Sequence, residues 1–549
     1  MSLATLGAFA LGEYAEAVGV MLFYQVGERF QELAVHKSEK SIAALIGLRP
    51  DYANLRQAGG DSAKVSPETV QIGDVIIVKP GEQIPLDGEV IEGEAMLNTA
   101  ALTGESVPRR AKTGDTVLSG CINQNGLLTV RVTRTFGDST ASKILDLVKN
   151  AAEKKAPTER FITKFARCYT PAVVGLAALI VLVPPLVFGG LWLDWLRRGL
   201  IFLVISCPCA LVISIPLGFF GGIGAASKKG ILIKGGNYLE ALRRLDTVVF
   251  DKTGTLTRGV FEVTTLAPAN GHGASELLET AACAEAFSTH PIALSILRAF
   301  GKEIDRKPLT EYHETAGQGV SLKRDGKTIL AGNRALLASV GVICDETPRA
   351  GTLVHVAADG IYMGCIVISD EIKPDSQDAI AALRAKGVRR IAMLTGDALP
   401  AAQAIAEELQ LDEVHAGLLP HQKVEMVEQL NAKKSSCGAL VFVGDGLNDA
   451  PVLAIADIGV AMGALGSDAA IAAADVVLMT DQPSKLAEAI DIARFTRRVV
   501  WQNIIFALSI KALFLALGAA GLAGMWEAVF ADVGVALLAV FNAMRVSRR

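Results

Sequence analysis

Five stretches of this chain are apolar over the length a bilayer-crossing helix needs. They run from about Leu3 to Val26, Pro171 to Trp192, Gly199 to Ala226, Val499 to Gly524 and Trp526 to Met544. The second and third hold no charged residue, whereas the first contains Glu13 and Glu16 and the last two carry Lys511 and Asp532. A long apolar run containing carboxylates argues against a cleaved signal for the first.

The segments between the spans have different periodicities. From about Val65 to Thr135, short runs such as V-I-I-V (Val75 to Val78) and L-L-T-V-R-V (Leu127 to Val132) alternate with Gly and Pro-Gly turns, which predicts a small β domain. A charged helical stretch, about Ser139 to Ala156, leads back to the membrane, with Pro157 as a break. After the third span comes a soluble block of roughly 270 residues, long enough for two domains. Strand-like runs (T-V-V-F, I-A-M-L, A-L-V-F-V) alternate there with helical ones, the pattern of a parallel α/β sheet. Residues from about Val260 to Ile366 interrupt it as an inserted α+β domain. The expected division is therefore 1–28 (span), 29–168 (β domain with helical linkers), 169–226 (two spans), 227–259 with 368–492 (α/β domain), 260–367 (insertion) and 493–549 (two spans and tail).

Composition agrees with a membrane protein bearing large soluble parts: 51% hydrophobic, 20% charged and a mean hydropathy of +0.39. A formal charge of −4 gives no sign of a nucleic-acid partner. Of eight cysteines only Cys207 and Cys209 are close in sequence, so a disulfide framework is not expected and a reducing compartment is. Lys228, Lys229, Lys234, Arg494, Arg497, Arg498, Arg545, Arg548 and Arg549 flank the spans on the side of the soluble block, which the positive-inside tendency makes cytoplasmic. Arg197 and Arg198 are an exception on the other side. An odd number of spans puts the N-terminus outside unless something precedes it.

The sharpest chemical signal is D-K-T-G-T-L-T, Asp251 to Thr257, directly after T-V-V-F. A carboxylate at the carboxyl end of a parallel strand faces the crevice where such sheets bind ligands, and an aspartate there can accept a phosphoryl group. T-G-D (Thr395 to Asp397) and G-D-G-L-N-D-A-P (Gly444 to Pro451) each follow another strand-like run. The heptapeptide and the order of these motifs resemble the P-type ATPases over essentially the whole chain. The resemblance implies an α-helical transmembrane bundle, a small β actuator domain, a haloacid-dehalogenase-like phosphorylation domain and an inserted nucleotide-binding domain. It also implies that Asp251, Asp445 and the carbonyl of Thr253 hold Mg²⁺, with Asn448 and Asp449 in support. Lys423 would neutralise phosphate charge and Thr395 would hydrogen-bond it, as phosphoryl transfer requires.

Related soluble hydrolases carry a second Asp two residues after the nucleophile. Here that position is Thr253, so the group that hydrolyses the aspartyl phosphate must come from elsewhere. By resemblance it is Glu105 of T-G-E-S (Thr103 to Ser106), positioning water as a general base. In the insertion, E-A-F-S-T-H-P (Glu285 to Pro291), G-Q-G (Gly317 to Gly319) and G-N-R (Gly332 to Arg334) resemble the ATP-site motifs of the heavy-metal branch. Glu285 would hydrogen-bond adenine and His290 stack on it, with Gly317, Gly319, Gly332 and Asn333 close by. A His-Pro pair also reads as a helix start.

C-P-C, Cys207 to Cys209, interrupts a charge-free span. Pro208 frees backbone carbonyls that must be satisfied locally, and two thiolates beside the break suit soft or borderline metals. A charge at the bilayer centre costs about 2.5–3.5 kcal/mol on the insertion scale, so Lys511 and Asp532 need a reason to be there. Asp532 supplies an oxygen ligand suited to a divalent ion, and Lys511 pairs with it when the ion has left. I-K-A-L-F and A-D-V-G resemble the zinc/cadmium/lead exporters, and Glu16 matches an acidic position on their metal path. The expected activity is ATP-driven export of Zn(II), Cd(II) or Pb(II), with Mg²⁺ and ATP as cofactor and substrate and a lipid bilayer as host. A Cu(I) pump and an uncoupled metal-binding fragment remain alternatives. Pumps of this resemblance commonly have eight spans, and this chain begins within what corresponds to the fourth.

Overall fold

The computed structural model describes residues 52–57, 62–99, 108–143, 156–188, 191–288, 290–315, 318–344, 351–397, 399–445, 449–463 and 472–548, with scattered positions before Asp51. Most of the first predicted span, including Glu13 and Glu16, and most of the linker before Ala156 lie outside the described residues. So do Glu105, Gly317 and Asn448.

In the first soluble unit, β1 (Val75–Val78) pairs antiparallel with β2 (Leu128–Val132), from Val75↔Arg131 to Val78↔Leu128. Ile76 and Val78 of β1 are buried, as period-two alternation over a half-solvated sheet demands. The six-stranded sheet begins earlier than the sequence pattern predicts, with strands Ala53–Arg56 and Ser62–Val65. A-N-L-R and S-A-K-V have weak strand propensity; pairing holds them extended, A-N-L-R between β1 and S-A-K-V, and S-A-K-V at the edge against A-N-L-R.

Two helices precede the α/β unit: α1 (Pro157–Phe188) and α2 (Trp192–Ile205), followed after the C-P-C break by α3 (Cys209–Lys228). Then come β3 (Ile231–Ile233), α4 (Gly236–Leu242) and β4 (Leu245–Asp251). All seven residues of β4 are buried, as in a parallel strand covered on both faces.

The insertion opens with β5 (Thr257–Pro268) and continues through α5 (Pro291–Phe300), β6 (Leu309–Thr315), β7 (Gly319–Arg324), β8 (Lys327–Gly332), α6 (Arg334–Ser339), β9 (Thr352–Ala358) and β10 (Ile361–Ile372). Its antiparallel sheet runs β5-β10-β9-β8-β7-β6. The edge strand β5 and its neighbour β10 pair as far as Thr257↔Ile372, so a two-stranded ribbon reaches the last residue of the D-K-T-G-T-L-T motif.

The α/β unit resumes with α7 (Pro374–Ala385), β11 (Arg390–Leu394), β12 (Glu413–His415), α8 (Pro420–Ala432), β13 (Ala439–Gly444), β14 (Ile458–Met462) and β15 (Val476–Leu478). The seven strands lie in the order β3-β15-β14-β13-β4-β11-β12. All pair in parallel except the edge strand β3.

The chain ends in α9 (Lys485–Ala520), α10 (Met525–Val529) and α11 (Val535–Met544). The sequence placed the start of this span near Val499, but α9 runs unbroken from Lys485. No Gly or Pro occurs between Lys485 and Leu517, and a change from charged to apolar residues does not by itself end a helix. At 36 residues and 1.5 Å of rise each, α9 is about 54 Å long and joins the α/β unit rigidly to the membrane part. Among the described residues four helical stretches are long and apolar enough to cross a membrane: Pro157–Val187, Trp192–Lys228, Lys485–Ala520 and Trp526–Arg548. The exceptional Arg198 has a local cause. A side chain at Gly521, where α9 ends, would come within 2.6 Å of its guanidinium, so the cation sits at a helix C-terminus.

Candidate active site and metal path

Register brings the three strand-end motifs together. β4 lies between β13 and β11, with Phe250 level with Val443 and Asp251 level with Leu394. Asp251, Thr395 and Asp445 therefore emerge at one carboxyl edge of adjacent parallel strands. Lys423 of α8 donates to Asp251 Oδ1 at 2.6 Å and to Asp449 Oδ1 at 2.9 Å. Burial first, then the neighbouring Asp449 charge, push the Asp251 carboxyl up from its ordinary range, and Lys423 pulls it back. Thr395 is buried and its hydroxyl oxygen accepts from Asp397 N–H at 3.1 Å, which orients the hydroxyl hydrogen away from the backbone.

The loop Lys252 to Leu256 is held in part by Lys373, Asp481 and Asp370, which the sequence reading did not single out. Thr253 is extended, and Gly254 adopts φ 72°, the left-handed region that glycine enters freely. A Cβ on Gly254 would lie 3.2 Å from Asp445 Oδ2, so the loop passes directly beside that carboxylate. Buried Lys373 donates to Gly254 O at 2.5 Å and to Asp481 Oδ1 at 2.6 Å. Lys252 pairs with Asp397, and Thr257 hydrogen-bonds Asp370. The signal for Lys373 was present as D-E-I-K-P (Asp370 to Pro374), but its partners are over a hundred residues away in sequence. We expect Lys373→Met to slow phosphorylation of Asp251 about 10²-fold by misplacing the loop. Lys373→Arg should restore part of that loss, and metal binding in the membrane should be unaffected. Quench-flow labelling beside equilibrium metal titration separates the two effects.

In the membrane part the consequence of Pro208 is visible. α2 stops at Ile205 and α3 restarts at Cys209, which frees the Ile205 carbonyl that a continuous helix would have given to Cys209 N–H. Lys511 of α9 takes it, donating to Ile205 O at 3.0 Å and to Asp532 Oδ1 at 3.0 Å. Lys511 is 3% and Asp532 1% exposed, so each charge is buried and paired. Asp532 sits in a π-helical turn, Phe530–Gly534, between α10 and α11. Such turns widen a helix locally and recur at functional sites. Cys207 is half-buried and disulfide-bonded here, so metal binding calls for its reduced thiolate. The side chain of Cys209 lies outside the described residues.

Residues 245–457 match the haloacid dehalogenase-like hydrolase family and residues 47–149 the P-type ATPase actuator domain. The chain is 60% identical, over its whole length and 78% of the relative's, to a cadmium, zinc and cobalt-transporting ATPase of Bacillus subtilis (strain 168). It is 56% identical to a zinc-transporting ATPase of Synechocystis sp. (strain ATCC 27184 / PCC 6803 / Kazusa), over 100% of this chain and 76% of that one. The crystal structure of a zinc-transporting PIB-type ATPase in the E2.Pi state superposes with a TM-score of 0.66 at 39% identity, covering 100% of this chain and 90% of that one. The chain belongs to the heavy-metal branch of the P-type ATPases. Its β unit is the actuator domain, its parallel sheet the phosphorylation domain and its insertion the nucleotide-binding domain.

In that nucleotide-binding domain of the ATPase several predicted ligands also have structural duties. His290 is the N-cap of α5, its Nδ1 accepting from Ile292 N–H at 3.3 Å, and its ring is exposed. Asn333 caps α6 in the same way, accepting from Leu336 N–H at 3.0 Å. Gly319 and Gly332 face each other across β7 and β8. A Cβ on Gly319 would fall 2.3 Å from Ala331 O, and one on Gly332 would fall 2.3 Å from Gln318 O. These glycines permit the strands to cross closely, whatever else they do.

Glu285 is buried, and burial followed by the charge of Glu314 pushes its pKa up to about 7. Between 4.5 and about 7 the folded domain thus keeps a proton that the unfolded chain has released. Stability is fully present below that window and falls as pH rises through it, by up to about 3 kcal/mol. Exchange protection of residues 257–372 in the whole ATPase, corrected for intrinsic rates, should drop between those pH values. Glu285→Gln should flatten the profile.

Proposed function

We propose that this ATPase exports Zn(II) or Cd(II) through an aspartyl-phosphate cycle. The observation that carries the reading is Lys511, which bridges the carbonyl freed at C-P-C and the carboxylate of Asp532. Thiolates of Cys207 and Cys209 with the Asp532 carboxylate make a mixed sulfur and oxygen set suited to a borderline divalent ion. When the ion leaves, Lys511 supplies the compensating charge, which disfavours re-entry without a counter-ion. Glu16 is a transient ligand on this path in the same reading.

Asp251 attacks the γ-phosphoryl group of ATP and ADP departs. Lys423 offsets charge on the transferred oxygens and Thr395 donates a hydrogen bond to them. Glu105 then orients the water that hydrolyses the acyl phosphate and returns inorganic phosphate. Three carboxylates, Asp251, Asp445 and Asp449, gather near one lysine, a surplus of negative charge that fits a Mg²⁺ ion. Among the described residues no three acidic, His or Cys side chains form a ready-made metal cage. Mg²⁺ suits that arrangement because it takes few protein ligands and completes its shell with phosphate oxygens and water. Asp251, Asp445 and the Thr253 carbonyl would hold it, and it supplies charge neutralisation at the phosphate. Glu285 and His290, with Gly317, Gly319, Gly332 and Asn333 around them, receive the adenine. The soluble domains face the cytoplasm of a bacterial cell, on the side of the basic flanks.

The test is ATP hydrolysis by the reduced protein in lipid vesicles with Zn(II), Cd(II), Co(II), Pb(II) and Cu(I). Stimulation by Zn(II) and Cd(II) that disappears in Asp532→Ala is the expected result. Cu(I) stimulation that survives Asp532→Ala would place the protein with the copper pumps, and hydrolysis indifferent to every metal would make it an uncoupled fragment.

A further inference from the structure

Where α1, α3, α4 and α9 meet, at the border between the spans and the phosphorylation domain, a groove of about 520 Å³ opens sideways. That volume lies in the range of small-molecule sites. Its walls are Phe161, Phe165, Leu211, Trp501, Ile504 and Leu508, and its polar end holds Glu240 and Arg244. Phe161 is 65% and Trp501 42% exposed, so the apolar walls continue onto the outer surface of α1 and α9.

The polar end has a charge imbalance. The Glu240 carboxylate is already engaged, accepting from Thr158 N–H at 3.0 Å and from Thr158 Oγ1 at 2.7 Å, with Arg497 at 3.9 Å. Around it are Arg243, Arg244, Arg494 and Arg497. They are near enough that Arg497, Arg244 and Arg494, after burial itself, lower the pKa of Arg243. Arg243 Nε is buried with no hydrogen-bond partner, a donor that is costly to leave unmade. Arg497 lies over the Trp501 ring at 5.6 Å, which places an amphipathic Trp and a cation together where an interface would run.

We propose that this groove binds an anionic phospholipid, with the phosphate held at Arg244 among its neighbouring arginines and one acyl chain lying between Phe161 and Trp501. A soluble anion would match the arginines but leave the apolar walls unused, whereas a zwitterionic lipid would match the walls and leave the arginine charge unmet. Bound there, the lipid touches α1, α4 and α9 together, and α9 is the helix shared by the membrane part and the phosphorylation domain.

The probe is Trp501 fluorescence in the whole protein in phosphatidylcholine nanodiscs doped with brominated phosphatidylglycerol or brominated phosphatidylcholine. The Trp501 signal is the difference from Trp501→Phe. Brominated phosphatidylglycerol should quench at lower mole fraction, by roughly fivefold for each arginine that engages the phosphate. The preference should shrink in Arg244→Gln and in Arg243→Gln. Equal quenching by the two lipids would overturn the proposal, and that comparison needs only the Trp501→Phe reference and no arginine variant. A preference undiminished in the double variant Arg243→Gln/Arg244→Gln would overturn it too, as would displacement of the brominated lipid by soluble glycerol phosphate.

Discussion

Asp251→Asn should form no covalent phosphoenzyme from γ-labelled ATP and should lower metal-stimulated hydrolysis by at least about 10⁴-fold, the scale seen when a nucleophile is removed. The amide oxygen lacks the charge that attacks phosphorus, and no carboxylate nearby substitutes for it. Asp445 follows the end of a neighbouring strand, and Asp449 is held by Lys423 at 2.9 Å. Lys423→Met gives the complementary result. It leaves the Asp251 and Asp449 carboxylates facing each other without their shared cation, and the phosphoryl oxygens without charge compensation. A loss of about 10²–10³-fold is expected, comparable to removing one preorganised electrostatic partner. Phosphoenzyme that still forms at the normal rate in Lys423→Met would mean that the 2.6 Å contact with Asp251 is structural only.

Asp532→Ala should abolish metal stimulation and also destabilise the membrane part by about 3–5 kcal/mol, because it strands the Lys511 charge in an apolar bundle. Lys511 would keep only the Ile205 carbonyl among its two hydrogen-bond partners. The double variant Lys511→Met/Asp532→Leu removes both charges and should recover most of that stability, since an apolar replacement of a buried pair is often neutral or better. It should remain unresponsive to metal. Thermal unfolding in detergent therefore ranks the double variant above the single one, while hydrolysis ranks both at zero. A single variant as stable as the parent would show that Lys511 finds water or another partner. Metal-stimulated turnover in Asp532→Ala would remove Asp532 from the ligand set.

The catalytic motifs were legible because each is local: a polar turn following a hydrophobic run that can only be a buried strand. T-V-V-F before Asp251, I-A-M-L before Thr395 and A-L-V-F-V before Gly444 announce both strand and strand end within ten residues. Lys511 and Asp532 were legible for the opposite reason, since charge in an apolar span is costly enough to demand a partner. The unbroken α9 was less so, because composition changes at Val499 while helix propensity does not. The glycines and capping residues of the nucleotide-binding domain were misleading in one respect. A resemblance to a binding motif does not reveal that Gly319 and Gly332 also clear a strand crossing, or that Asn333 also caps a helix, whereas His-Pro had already read as the helix start that His290 caps.

The sequence by itself determined the four described spans, the α/β alternation and the helix break at Pro208, since each follows from periodicity, charge or the missing N–H of one residue. Tertiary structure alone decided that Asp251 stands level with Leu394 and Phe250 with Val443, that Lys373 holds Gly254 and that Lys511 reaches Ile205 O. It also set Asp532 in a π-helical turn. Those contacts join residues separated by up to 306 positions. Their energies depend on strand register and on burial, which exist only once the chain has packed.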